Sequence, residues 1–218
     1  YFYYCPNETI HGLECLEPPA VGDRPLVADM TSSLFSSPLQ IKDYGLLFAG
    51  AQKNFGISGL TLVIIREDLI GNTLPRTPLH DQYKTYRDHH SLYATPTTFG
   101  IYVMHKVLEW MQEQGGVSAI SAVNSRKAAL LYDYIDSTEF YQNSVTPQYR
   151  SRLNIPFTLR DPQLDAEFLS KAAEQDLLAL KGHRAVGGMR ASLYNAMPES
   201  GVQALIKFMK QFAESHSQ

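Results

Sequence analysis

An α/β fold in two units is what this sequence predicts, and three observations predict it. Short apolar runs at residues 25–28 and 46–49 each end in polar or charged residues, as strands of a mostly parallel sheet do at their carboxyl ends. Residues 60–65 are almost continuously apolar, the pattern of a strand buried on both faces. Beyond Gly115 and Gly116 the texture changes to helices alternating with half-buried strands. Residues 1–115 are therefore expected to be the later part of a large sheet domain with flanking helices. Residues 116–218 are expected to form a smaller α+β domain.

Taken in order, residues 2–5 are read as a buried strand and Pro6-Asn7-Glu8-Thr9 as the loop after it. The chain opens without Met, a charged leader or a signal-peptide pattern. A strand with no earlier partner suggests entry partway through a fold, so the chain reads as a fragment or as the ordered part of a longer one. Residues 25–28 lead into Asp29, with Thr31, Ser32 and Ser33 expected to cap a following helix. Residues 46–49 deliver Gly50-Ala51-Gln52-Lys53. Residues 72–97, rich in Thr, Pro, His and Tyr, read as a long, mostly irregular connection. Ile101, Met104, Leu108 and Met111 mark a helix ended by Gly115 and Gly116. Ile120, Val123, Leu130 and Tyr134 mark the inner side of the next. Residues 151–159 alternate like a strand. Asp161 and Pro162 open a helix through residue 175. Residues 177–180 and 189–194 read as short strands. Residues 198–214 form a last amphipathic helix, with Val202, Leu205, Ile206, Met209 and Phe212 facing in.

The bulk properties exclude several function classes. The 218 residues are 44% hydrophobic and 19% charged, which suits a soluble globular chain and not a disordered tail. A net charge of -3 with no Lys/Arg run gives no footprint for nucleic acid and no polybasic membrane anchor. No stretch is long and apolar enough to span a bilayer. Cys5 and Cys15 are too few for a disulfide framework and read as free thiols in a reducing compartment. No metal site is expected: His80, His89 and His90 have no zinc spacing and read as loop histidines. Trp110 reads as core or interface.

Asp29 and Lys53 are the candidates for chemistry. Each follows an apolar strand, so both are placed to face one pocket at the carboxyl ends of a parallel sheet. A carboxylate and an amine there suit pyridoxal 5'-phosphate (PLP) chemistry. The amine forms a Schiff base with the aldehyde. The carboxylate keeps the pyridine nitrogen protonated. The plainer alternative is a helix cap and a surface lysine. The run Ala49-Gly50-Ala51-Gln52-Lys53-Asn54-Phe55-Gly56 favours the pocket, because small residues let a flat ring approach the backbone. A buried lysine there would also lose its proton more readily.

Three blocks in order carry a resemblance. Gly50-Ala51-Gln52-Lys53-Asn54, with a Gly-Leu-Thr strand and Arg66-Glu67-Asp68-Leu69 after it, is similar to the cofactor-lysine segment of the phosphoserine aminotransferases, class-V enzymes of PLP fold type I. Pro6-Asn7-Glu8-Thr9-Ile10 resembles their cofactor loop. Lys181-Gly182-His183-Arg184-Ala185-Val186-Gly187-Gly188-Met189-Arg190 resembles their substrate motif, continued by Tyr194-Asn195-Ala196-Met197-Pro198. The resemblance covers the chain from residue 1 to the last helix and places it as the C-terminal two-thirds of such an enzyme.

What the resemblance implies is specific. Lys53 is the Schiff-base lysine and the proton carrier. Asp29 pairs with the pyridine nitrogen, Thr9 with the phenolic oxygen and Gln52 with the cofactor phosphate. Thr95 reaches the partner's cofactor phosphate in a homodimer, although Ala94 stands where the family usually has asparagine. Arg190 grips the substrate carboxylate, and His183 and Arg184 recognise the substrate phosphate, their flanking glycines offering backbone N–H groups to an anion. The implied reaction is reversible transfer of an amino group between L-glutamate and 3-phosphohydroxypyruvate, giving O-phospho-L-serine and 2-oxoglutarate. It would take place in the cytoplasm, in serine biosynthesis and, as in some members of the family, pyridoxine biosynthesis. Alternatives are an alanine–glyoxylate aminotransferase or cysteine desulfurase of the same class, a truncated dimerising module, or a plain α/β domain. The family's ring-stacking aromatic and Gly-rich phosphate loop have no counterpart in this sequence, so the chain alone is expected to bind PLP poorly.

Overall fold

The computed structural model describes residues 1–216. The first half holds β1 (Phe2–Tyr4), a hairpin of β2 (Asn7–Glu8) and β3 (Leu13–Glu14), then β4 (Leu26–Asp29), β5 (Leu46–Gly50) and β6 (Thr61–Ile65). Four of these form one sheet in the order β1-β4-β5-β6. The β1–β4 and β4–β5 pairs are parallel, and β5–β6 is antiparallel. The expected α/β architecture with a mostly parallel sheet is what forms.

Both rims of this sheet differ from expectation. Phe2 is 43% and Tyr3 52% exposed, because β1 pairs on one side only. β6 is likewise an edge strand and Val63 is 36% exposed, so its apolar run does not mean burial on both faces. The central strands β4 and β5 do bury one alternating face each, through Leu26, Ala28, Leu47 and Ala49. Asn7–Glu8 is also no plain loop, since it pairs with Leu13–Glu14. Gly12 has φ +76° at the hairpin tip, and a Cβ there would meet Pro156 Cδ at 2.3 Å. Only glycine fits that crossing.

Residues 72–97 contain a 3-10 turn (Leu79–Asp81) and a short helix, α1 (Tyr83–Asp88), and are otherwise irregular. Helix α2 (Thr98–Glu113) lays Met104 and Leu108 on the first core, while Ile101 is exposed. Helix α3 (Gly116–Asp136) buries Ile120, Asn124, Lys127, Ala128, Leu131, Tyr132 and Ile135. That face matches the expected one only in part, since Ile120 is buried and Tyr134 packs against the core. Leu130 points out at 37% exposure, because Asn124 and Lys127 find hydrogen-bond partners inside.

The second half adds β7 (Tyr141–Gln142), β8 (Asn154–Leu159), α4 (Asp165–Ala173), β9 (Met189–Ser192) and α5 (Glu199–Ser215). The strands form an antiparallel sheet in the order β7-β8-β9. Asp161 accepts the Gln163 N–H at 2.9 Å and caps a 3-10 turn leading into α4, which ends at Ala173, before the expected residue 175. No strand forms at residues 177–180. Asp176 and Ala179 sit at φ 58° and 59°, which breaks an extended run, and a single Lys181–Met189 bridge remains.

Two apolar clusters result. One gathers Leu26, Ala28, Met30, Leu34, Leu47, Ala49, Ala51 and Phe55. The other gathers α3, α4, α5 and the second sheet around Tyr141, Phe157, Phe168, Phe208 and Phe212, whose rings meet edge to face. Buried polar groups join the two regions. Asn7 donates to Asn154 Oδ1 at 2.9 Å, and Glu14 pairs with Arg152 at 2.9 Å with the carboxylate 4% exposed. No helix among the described residues is long and apolar enough to cross a membrane.

Candidate active site

Asp29 ends β4 and Lys53 follows the end of β5. In the parallel register Asp29 lies beside Phe48, so both residues come to the same edge of the sheet. The strand ends are tied together there. Met30 N donates to Phe48 O at 2.8 Å, and Gly50 N donates to Thr31 Oγ1 at 3.2 Å. Asp29 Oδ1 accepts the Thr31 N–H at 2.9 Å. No helix follows directly, so Thr31 and Ser32 serve as clasps and not as a helix cap, while Ser33 Oγ is buried without a hydrogen-bond partner among the described residues. Ser32 Oγ, for example, donates to Asn7 O at 2.7 Å.

The turn bearing Lys53 is set by its neighbours. Ala51 and Phe55 are fully buried, and Phe55 packs edge-on against Phe35 at 5.3 Å. Asn54 donates to Ser32 O at 3.2 Å and accepts the Asn195 N–H at 3.4 Å. With these anchors inside, Lys53 is left half-buried beyond the end of β5, not fully buried as the sequence suggested. Its ammonium lies 5.8 Å from the centre of the Tyr194 ring, and among the described residues it has no ion pair. Gln52 is exposed, and its amide folds back over Gly50, where a Cβ would come within 2.5 Å of Oε1.

The hairpin brings in Thr9. Glu8 accepts the N–H groups of Ile10 and His11 at 2.8 Å each. Desolvation opposes its ionisation, but those N–H groups and the His11 ring prevail and hold its carboxyl below the ordinary range. Arg190, on β9, donates Nη1 to Thr9 O at 3.0 Å, so a residue of the second sheet is joined to the hairpin.

Two neighbours were missed by sequence reasoning. Tyr194 stacks near Lys53, and its hydroxyl accepts from Asn154 Nδ2 at 3.1 Å. Cys5 sits within the field of the site. Desolvation and then the Asp29 carboxylate push its thiol up, while the Lys53 ammonium pulls it down. Neither is announced by spacing, since each is brought in by tertiary folding. Both cysteines are free, as expected.

Other sequence candidates are less closely placed. His183 and Arg184 lie on the tight loop before β9, and among the described residues they make no hydrogen bond to Asp29, Lys53 or Thr9. That loop closes on itself: Val186 N and Gly187 N donate to His183 O, and Gly182 N donates to Gly188 O. A Cβ at Gly182 would meet Gly187 O at 2.0 Å, so that glycine answers to loop closure and not to a free anion nest. Thr95 is exposed and lines a groove beside β6 with Ala94, Pro96, Tyr83 and Tyr86, away from Lys53. No cluster of metal-ligating side chains occurs among the described residues, His80, His89 and His90 included.

The donor set fits PLP. It offers an amine with no ion pair, a carboxylate whose Oδ1 is engaged while Oδ2 has no hydrogen bond among the described residues, and a threonine on a fixed hairpin. Comparisons with known proteins agree with this chemistry. The chain is 50% identical over 216 residues to a phosphoserine aminotransferase of Herminiimonas arsenicoxydans, covering 99% of this chain and 60% of that one. A solved phosphoserine aminotransferase of Bacillus circulans subsp. alkalophilus superposes with a TM-score of 0.96 at 44% identity, covering 99% of this chain and 60% of that one. A PLP-bound phosphoserine aminotransferase of Trichomonas vaginalis gives 0.92 at 42%, covering 96% and 60%. The chain thus spans about 60% of the length of the relatives it matches. The class-V aminotransferase model matches residues 1–205, and the chain belongs to that family.

Proposed function

We propose that the full-length protein is a PLP-dependent phosphoserine aminotransferase that moves an amino group reversibly between L-glutamate and 3-phosphohydroxypyruvate, giving O-phospho-L-serine and 2-oxoglutarate. The observation that carries this reading is the placement of Asp29 and Lys53 at the carboxyl ends of two neighbouring parallel strands, with Tyr194 against the lysine. Half-identical relatives bearing that name support it.

Bound at this edge, PLP supplies an aldehyde that condenses with amines and a protonated ring that accepts electrons from a substrate's α-carbon. Lys53 Nζ would hold the cofactor and would carry the proton to and from the substrate's α-carbon. Asp29 keeps a proton on the ring nitrogen by charge pairing. Thr9 positions the phenolic oxygen, and Gln52 assists at the phosphate. Arg190 receives the substrate carboxylate in a two-pronged hydrogen bond, its guanidinium steadied by Thr9 O. Arg184 supplies positive charge, and His183 and Arg184 supply donors, for the substrate phosphate.

The same reading includes a cytoplasmic homodimer in which Thr95 of one subunit serves the cofactor phosphate of the other. It extends to serine biosynthesis and to a phosphorylated hydroxythreonine substrate in pyridoxine synthesis. It also sets a domain boundary at Gly115–Gly116. The first apolar cluster draws on residues before that point and the second on residues after it, which supports the division.

Assay of the full-length protein tests the reading. Wild type is expected to form O-phospho-L-serine from L-glutamate and 3-phosphohydroxypyruvate, with Lys53→Ala at background. Arg190→Lys is expected to raise KM for L-glutamate about tenfold or more, since one of two charged hydrogen bonds is lost. Transfer to glyoxylate in preference to the phosphorylated keto acid would instead mark a different class-V enzyme.

A further inference from the structure

We infer that Lys127 is a positioning residue whose ammonium clamps the turn at residues 193–197 and thereby holds Tyr194 against Lys53. The inference deepens the proposed function and rests on Lys53 being the cofactor lysine.

Lys127 lies in the middle of α3 and is 0% exposed. Its Nζ donates to three main-chain carbonyls: Leu193 O at 3.1 Å, Tyr194 O at 3.0 Å and Met197 O at 2.9 Å. An ammonium has three N–H donors, and all three are used on one turn. Among the described residues no carboxylate pairs with it, so carbonyl dipoles alone hold the charge. A buried charge without a counter-ion is costly unless its geometry is good. Apolar residues fill most of the same helix face, and methionine would fill the same channel without that cost. The lysine contributes something that methionine lacks, namely three fixed points on the chain between β9 and α5.

The clamped turn bears directly on the candidate active site. Tyr194 supplies the ring 5.8 Å from Lys53 Nζ. Asn195 donates its N–H to Asn54, the residue after Lys53, and its side chain donates to Phe35 O at 3.1 Å. Asn124, one turn before Lys127 on α3, donates to Asn195 Oδ1 at 2.9 Å. Helix α3 thus grips the turn at four points, and Lys127 supplies three of them. Losing the ammonium removes this donor from Leu193 O and Met197 O and leaves Tyr194 O with the Met197 N–H, and the turn is the part free to respond.

The test uses the full-length protein loaded with PLP, as wild type, Lys127→Met, Lys127→Gln and a control, Ile135→Ala. Ile135 is buried two turns further along α3 and makes no hydrogen bond to the turn among the described residues. Hydrogen–deuterium exchange reads the amides of residues 193–197, and visible circular dichroism reads the cofactor held at Lys53. Lys127→Met is expected to speed exchange in that segment about tenfold or more, since charged hydrogen bonds are lost. It should also weaken the visible dichroic band and lower kcat. Lys127→Gln keeps an amide donor and should fall between Met and wild type. Ile135→Ala should lower thermal stability and leave the segment and the band as in wild type. Unchanged exchange at residues 193–197 in folded Lys127→Met overturns the inference. So does an equal response in Ile135→Ala, or failure of both Lys127 variants to fold, which would make the lysine a folding residue. A wild type that binds no PLP would fail the cofactor reading alone, because exchange still decides whether Lys127 clamps the turn.

Discussion

Burial lowers the pKa of Lys127 to about 8 from the ordinary lysine value of 10.5, and desolvation of the ammonium is the cause. Between those two values the unfolded chain keeps a proton that the folded chain has released. Stability therefore rises with pH across that window. The contribution is complete above the unfolded value and is lost as pH falls through about 8. Lys127→Met has no such proton. Denaturant unfolding at about pH 7 and again near pH 10.5 should move the difference between wild type and variant in favour of wild type. A difference that stays flat contradicts the assigned burial cost. At this scale the placing of Asp29 and Lys53 at strand ends was legible, because an apolar strand with polar residues after it is a local signal. Tyr194 and Cys5 were not, because Tyr194 reaches Lys53 from a distant turn and Cys5 reads as an ordinary thiol.

Among the elements, the hairpin of β2 and β3 decides where Thr9 stands, and one buried ion pair seats it. Arg152 donates to both Glu14 oxygens through Nε and Nη2, and its own N–H also reaches the carboxylate. Arg152→Ala strands a buried carboxylate. It should lower the unfolding free energy by about 3–5 kcal/mol, read by urea denaturation. A loss below about 1 kcal/mol, the range of exposed pairs, would mean that the hairpin is held by other contacts. Strong periods were read well: α5 buries Val202, Leu205, Met209 and Phe212 as its spacing requires. The inner face of α3 was misread at Leu130 because hydropathy counts Asn124 and Lys127 as outward residues, whereas carbonyls and an amide satisfy them inside. Residues 177–180 were misread because left-handed backbone at Asp176 and Ala179 has no signature in apolar content. The buried reading of β6 failed because an apolar run reports composition and not how many strands lie beside it.

For the whole molecule, two apolar clusters are joined by polar contacts and not by a shared core. Asn7–Asn154, Glu14–Arg152 and the Asn54–Asn195–Asn124 chain cross between them. Arg190 on β9 donates to Thr9 O, and Ser32, just past the end of β4, donates to Asn7 O, so the hairpin ties the strand ends of one sheet to β9 of the other. The α/β class and the order of most elements could be read from hydrophobic pattern. The joining network could not, because asparagines far apart in sequence carry no period. The central claim is that Lys53 holds the cofactor, and one measurement reaches it directly. Full-length protein supplied with PLP is reduced with borohydride, digested and mapped by mass. The account predicts a pyridoxyl group on the peptide bearing Lys53 and on no other lysine. A label at a different lysine, or none at Lys53 after saturation with the cofactor, would contradict it.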